Sequence, residues 1–204
     1  LYATVKTGAL TQRFSAGVAL HDIDTKRHTF VSAAAHTYTG NSTGSMDALS
    51  VNLGYELSYD VKLGKASTLT PFASVDVAIH QMDTLREKGQ SDASVITEYD
   101  EPVQVDVALG AAYTYTFGSG AALSASAAIH GELSENQPEA TNRFAGAGRS
   151  WTTKSAERAP IYGEIGASVV LPVSASTSLI GGGSFEFSAD RTSVGGNVGL
   201  NVKF

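Results

Sequence analysis

Seven segments between Leu49 and Phe204 alternate apolar and polar residues with a period of two. That pattern constrains the fold more than any other feature of the chain. Successive side chains of a strand point to opposite faces, so a period of two describes a sheet with one apolar and one polar side. In 49–63 the odd positions are Leu49, Val51, Leu53, Tyr55, Leu57, Tyr59, Val61 and Leu63, against Ser50, Asn52, Gly54, Glu56, Ser58, Asp60 and Lys62. In 103–117 they run from Val103, Val105, Val107 and Leu109 to Tyr113, Tyr115 and Phe117, against Gln104, Asp106, Gly110 and Thr114. The segments 73–82, 123–133, 161–171 and 178–187 repeat the arrangement, and Val194–Phe204 completes it.

No Asp, Glu, Lys or Arg stands on any of the seven apolar faces, whereas the polar faces carry Glu56, Asp60, Lys62, Asp76, Asp106, Glu132, Glu164, Glu186 and Lys203. Lipid enforces such a separation, because Lys or Arg on the lipid face of a barrel costs about 2–4 kcal/mol near the midplane. The polar faces are also rich in Gly, Ala and Ser, which suits a curved wall around a narrow lumen. Charged residues make up 17% of the chain, below the ~25% usual for soluble domains. The net charge of −6 argues against a nucleic-acid partner. With no cysteine, disulfides and thiolate chemistry are excluded. No apolar run reaches the ~18 residues of a membrane helix.

Connection lengths give an independent signal. Gly64–Thr68, Gly118–Gly120 and Pro172–Ser176 are tight; 83–102 and 134–160 are long; 188–193 is short but polar. Outer-membrane barrels have short periplasmic turns and longer outer loops, which puts the C-terminus in the periplasm. Tyr113, Tyr115, Phe117, Tyr55 and Tyr59 approach the tight turns, and Phe185 and Phe187 the other end, as interface girdles require. The N-terminal third is less regular. It is read as strands over 1–11, 14–21 and 29–39, with a Gly/Ser/Thr/Asn loop at 40–47. The total is ten strands.

The candidate functional residues are the polar-face groups Glu56, Asp76, Asp106, His130, Glu164 and Glu186. They are expected to line a hydrated, mildly acidic channel. His130 stands two residues from Glu132, a spacing that invites a lumen His–Glu pair. His21-Asp22 with Asp24 lacks the further oxygen ligands of a calcium loop. No motif of a hydrolase, zinc protease or P-loop occurs. Neither cofactor nor catalytic residue nor metal is expected.

The order of features resembles the autotransporter β-domain, the translocator of type V secretion. Leu53-Gly54-Tyr55-Glu56 looks like the family's G-Y-E/R strand, Leu69-Thr70-Pro71-Phe72-Ala73 its L-T-P-x-A strand start, and Leu109-Gly110-Ala111-Ala112-Tyr113 its L-G-x-x-Y strand. Gly181–Phe185 and Asn197–Phe204 resemble its final hairpin. The resemblance runs from about Ala48 to Phe204. It implies an antiparallel up-and-down transmembrane β-barrel in the bacterial outer membrane, about ten strands of an expected twelve being present. Residues 1–204 are then one barrel domain, the C-terminal part of a longer protein. It further implies outer-membrane lipid, the barrel-assembly machinery and an N-terminal passenger as partners, with Phe204 as the assembly signal. Some members of the family cleave their passenger inside the barrel with lumen carboxylates. The expected function is surface export and anchoring of that passenger. The rivals are a small pore or adhesin barrel acting through its outer loops, a hydrolase using His21, His80 and His130, and a soluble all-β binding domain.

Overall fold

The computed structural model describes residues 1–33, 36–89, 93–134, 137–146, 148–156 and 159–202, leaving aside the side chains of 31–38. One antiparallel sheet dominates it. Its continuous path is β1 (Tyr2–Thr7), β2 (Leu10–Ala33), β3 (His36–Tyr59), β5 (Ser67–Met82), β8 (Val103–Thr116), β9 (Ala122–Glu132), β12 (Ile161–Pro172), β13 (Thr177–Phe187) and β14 (Thr192–Val202). The two-residue β4 (Val61–Lys62) pairs with β5 and is the sheet's tenth strand. Each strand of the path pairs with its sequence neighbour, the up-and-down order. The sheet curls into a half-barrel. β1 and β14 are its two ends, and from Gly17 upward β2 pairs only with β3 among the described residues.

The polarity of the faces is inverted relative to a water-soluble fold. The only buried hydrophobic residues among those described are Met46, Leu85 and Ala108. Most of the other buried groups are hydroxyl side chains facing the concave side, Thr11, Ser42, Ser50 and Ser58. On the convex side Leu109 is 70% exposed, Val18 72%, Val194 80% and Val198 82%. Hydrophobic side chains normally leave water on folding; here they are presented to the exterior. Leu10–Leu20, Leu49–Tyr59 and Leu69–Ile79 each carry a charge-free convex face of the same length on adjacent strands. At about 3.3 Å per residue and about 40° of tilt that band stands about 25 Å high. Gln12, the polar exception on β2, accepts a hydrogen bond from the Tyr55 hydroxyl at 3.2 Å.

Both ends of the strands follow from local chemistry. Tight connections lie at one end: the β1–β2 turn uses Gly8 at φ 63° and the β8–β9 turn uses Gly120 at φ 84°, backbone angles that L side chains rarely adopt. Tyr59, Tyr113, Tyr115 and Phe117 are exposed toward this end. Where a glycine thins the wall, a neighbouring ring covers it. Gly163 lies opposite Phe187, whose ring would sit 2.5 Å from an added Cβ. Gly110 is covered in the same way by Phe72.

The N-terminal third differs from the sequence expectation. The strands expected at 14–21 and 29–39 and the loop expected at 40–47 are one long hairpin, β2 and β3, in register from Leu10↔Tyr59 to Ala33↔His36. Above Leu20 and Leu49 its convex face turns polar, beginning with the directly opposed Asp22 and Asp47. Hydrogen bonding continues although the apolar alternation stops.

The two long connections are structured as well. β6 (Leu85–Arg86), β7 (Val95–Tyr99), β10 (Glu139–Phe144) and β11 (Ser150–Lys154) form a four-stranded sheet in the order β11-β10-β7-β6. It docks on the long hairpin. Thr43 and Lys88 form a bridge, and Leu85 packs where a Cβ on Gly44 would lie 2.8 Å away. Arg27 grips Glu87 through two bonds, Nε–Oε1 at 2.8 Å and Nη2–Oε2 at 2.6 Å, and also donates to the Ala93 carbonyl. The Val95 amide adds a third donor to Glu87 at 2.8 Å. These hydrogen bonds, Arg27's first, outweigh burial and hold the Glu87 carboxyl below the usual glutamate range.

Candidate functional site

The concave face carries the polar parity of every strand, so it collects the candidate residues. Its lower part forms an open cavity of about 880 Å³. The wall of this cavity is lopsided. On one side Lys6 reaches Asp60 at 2.8 Å and Arg13 reaches Glu56 at 2.7 Å. On the facing side β12–β14 present Gly166, Gly182, Gly183, Gly195, Gly196 and Asn197. Apart from Glu164, that side carries only small or uncharged groups, Ser168 and Ser184 among them.

Higher up, the acids crowd together. Strand register sets Asp76 directly opposite Asp106, Asp106 opposite Glu132, and Glu164 opposite Glu186. Like charges directly across a sheet repel. Gly54 makes room for this arrangement, because a Cβ there would lie 2.5 Å from Oδ1 of Asp76. His130 stands among these acids. Its Nδ1 lies 2.9 Å from Asp106 Oδ1 and its Nε2 lies 3.3 Å from Glu164 Oε2. The second contact lacks hydrogen-bond geometry. Its ring stacks on Tyr162 at 4.4 Å between centroids, and the Tyr162 hydroxyl donates to Asp106 Oδ2 at 3.0 Å. Arg191 closes the top, 5.6 Å from the Tyr162 ring centroid and 3.7 Å from Glu186.

Asp76, Asp106, His130, Glu164 and Glu186 therefore stand in one neighbourhood, and Glu56, paired with Arg13, borders it, sharing a hollow with Asp76 and another with Glu164. The expected pairing of His130 with Glu132 is not what forms. Residues two apart on a strand are about 7 Å apart, and cross-strand neighbours come closer. His130 turns to the flanking strands, and Glu132 instead accepts a hydrogen bond from Ser134 at 3.3 Å. His21 and Asp22 point to opposite faces and do not converge. His21 Nε2 lies 3.1 Å from Ser50 Oγ, which lies 2.9 Å from His80 Nδ1, a relay across three strands. Phe204 lies outside the described residues. Sequence reasoning missed Tyr162, Arg13, Ser50 and Arg191. Tyr162 shares its face with Glu164 two residues on, so its parity was available; its partners depend on register. Among the described residues no group of His, Asp and Glu has the geometry to hold a metal.

An up-and-down antiparallel sheet, apolar outside, polar inside, with tight turns at one end and long connections at the other, is the wall of an outer-membrane type of β-barrel. The chain belongs to the autotransporter β-domain family, whose model, Autotransporter beta-domain, matches residues 1–184. The match takes in the N-terminal third and stops within β13. No curated protein matches the chain significantly. Membership implies a bacterial outer-membrane setting and a passenger domain.

Proposed function

We propose that this sheet is the wall of a translocator that anchors in the outer membrane and exports an N-terminal passenger through its polar bore. The observation that carries the reading is the exposed, charge-free convex band, which has its natural solvent in hydrocarbon. Between the two sheet edges, hydrogen bonding of neighbouring strands satisfies the backbone across that band, as a bilayer demands. The smooth Gly/Ser wall opposite Lys6 and Arg13 accepts an extended chain without trapping it. Glu56, Asp76, Asp106, His130, Glu164 and Glu186 keep the bore hydrated; none of them does covalent chemistry in this reading. Outer-membrane lipid covers the convex face, and Phe204 is the residue offered to the assembly machinery.

The four-stranded outer sheet favours a second reading, a small pore or adhesin acting at the surface. Display separates the two. The chain is expressed with its natural upstream region and an epitope placed before Leu1, and intact cells are probed by antibody and by added protease. Export predicts an epitope that is labelled and cut on intact cells. A folded, membrane-inserted barrel whose epitope stays inside supports the pore or adhesin instead.

A further inference from the structure

Well above the apolar band, the convex side of the long hairpin forms a second concavity of about 580 Å³. Asp24, Lys26, Thr43, Ser45, Arg86 and Lys88 line it. Lys26 and Lys88 flank Thr43 in one row, since Lys26 pairs with Thr43 and Thr43 bridges to Lys88. Arg86 precedes Lys88 by two residues and is exposed. None of the three cations has a carboxylate within ion-pair distance or a side-chain hydrogen bond among the described residues. Among the described residues Asp24 is the only acid in the lining. A net positive, hydroxyl-lined hollow on a chain of net charge −6 has the chemistry of a phosphate site.

Height selects the source of the phosphate. With about 3.3 Å per residue and about 40° of tilt, the Lys26–Lys88 row stands about 15 Å above Leu20, the top of the band. Phospholipid headgroups reach only about 5–8 Å beyond the hydrocarbon. The opposed Asp22 and Asp47 occupy that lower layer and repel phosphate there. We infer that Lys26, Arg86 and Lys88 bind a phosphate group on the sugar headgroup of an outer-leaflet glycolipid. The inference rests on the convex band lying in lipid and adds a specific headgroup contact to it. Each cation near a membrane surface contributes about fivefold in affinity, and the three together about a hundredfold.

The test uses the full chain in detergent micelles and native mass spectrometry. The probes are a lipopolysaccharide with phosphorylated core sugars and the same lipid with those phosphates removed. The wild-type protein is expected to retain the phosphorylated form preferentially. Lys26→Gln, Arg86→Gln and Lys88→Gln each weaken it about fivefold, the triple variant about a hundredfold, and Lys65→Gln at the opposite end leaves it unchanged. Equal retention of both lipids, or a triple variant that binds as the wild type does, overturns the inference. So does displacement by millimolar inorganic phosphate, which marks a free-anion site. Heat-modifiable gel mobility reports folding; if the triple variant fails it, the single variants decide. Lost lipid discrimination with normal passenger display leaves the translocator reading intact, and lost display with normal discrimination does the reverse.

Discussion

Leu53 and Asn52 are adjacent on β3 and face opposite solvents. Leu53 is 50% exposed on the convex side, midway along the band, and Asn52 lines the bore beside Asp76 and Asp106. Leu53→Arg is therefore expected to cost about 2–4 kcal/mol of folding stability in lipid vesicles, and Asn52→Arg under about 1 kcal/mol, because its charge meets water and carboxylates. Denaturant titration of both variants in the same vesicles measures the contrast. Equal costs would remove the distinction between the two sides. Face assignment was legible in the sequence at this scale, because parity alone decides it. The neighbours of a given side chain were not. His130 is hydrogen-bonded to Asp106 and lies beside Glu164, on two flanking strands, and only register brings these three together. The same holds for Ser50 between His21 and His80.

Elements were readable only as long as one face was apolar. From Leu49 to Val202 the expected strands match the observed ones closely. In the long hairpin the alternation fails above Leu20, where Asp24, Lys26 and His28 face one side and Thr25, Arg27 and Thr29 the other. Both sides are polar there, so a strand outside the membrane resembles a loop. The short strands of the outer sheet escaped for the same reason. Their attachment depends on the Arg27–Glu87 clamp. Arg27→Ala is expected to loosen β6 and β7 by about 2 kcal/mol, the usual worth of hydrogen bonds to a charged group, while β8, β9 and β12–β14 keep their protection. Hydrogen exchange by peptide checks this. The pH dependence follows from the lowered carboxyl of Glu87. Its ionised form is stabilised by folding, so the contribution is complete above the ordinary glutamate range and is lost as pH falls through the lower folded value. Exchange of 83–99 should accelerate only in acid below that range, and Glu87→Gln should abolish the dependence. Acceleration near neutrality would contradict the clamp.

At the level of the whole molecule, the missing feature is an interior. A chain that buries only Met46, Leu85 and Ala108 among its described apolar residues gains little from the hydrophobic effect in water. The apolar surface that would stabilise a soluble fold points away from the protein. The polar surface lines the concave side. Stability must then come from strand pairing inside a solvent that offers the backbone no alternative partners. The curl and the loop asymmetry followed from the alternation and the connection lengths. The cooperation of the two long loops in one sheet did not, because no local pattern links 85–99 to 139–154.

The chain has no cysteine, so single cysteines report without background. The most direct measurement places a fluorophore in turn on Leu53, Val107 and Val198, and on Ser50, Ser126 and Asn197, in bilayers containing brominated acyl chains. Strong quenching at the first three positions and little at the others is the predicted result. Quenching that ignores the alternation, or that spares Leu53, Val107 and Val198, would show that hydrocarbon does not touch this face.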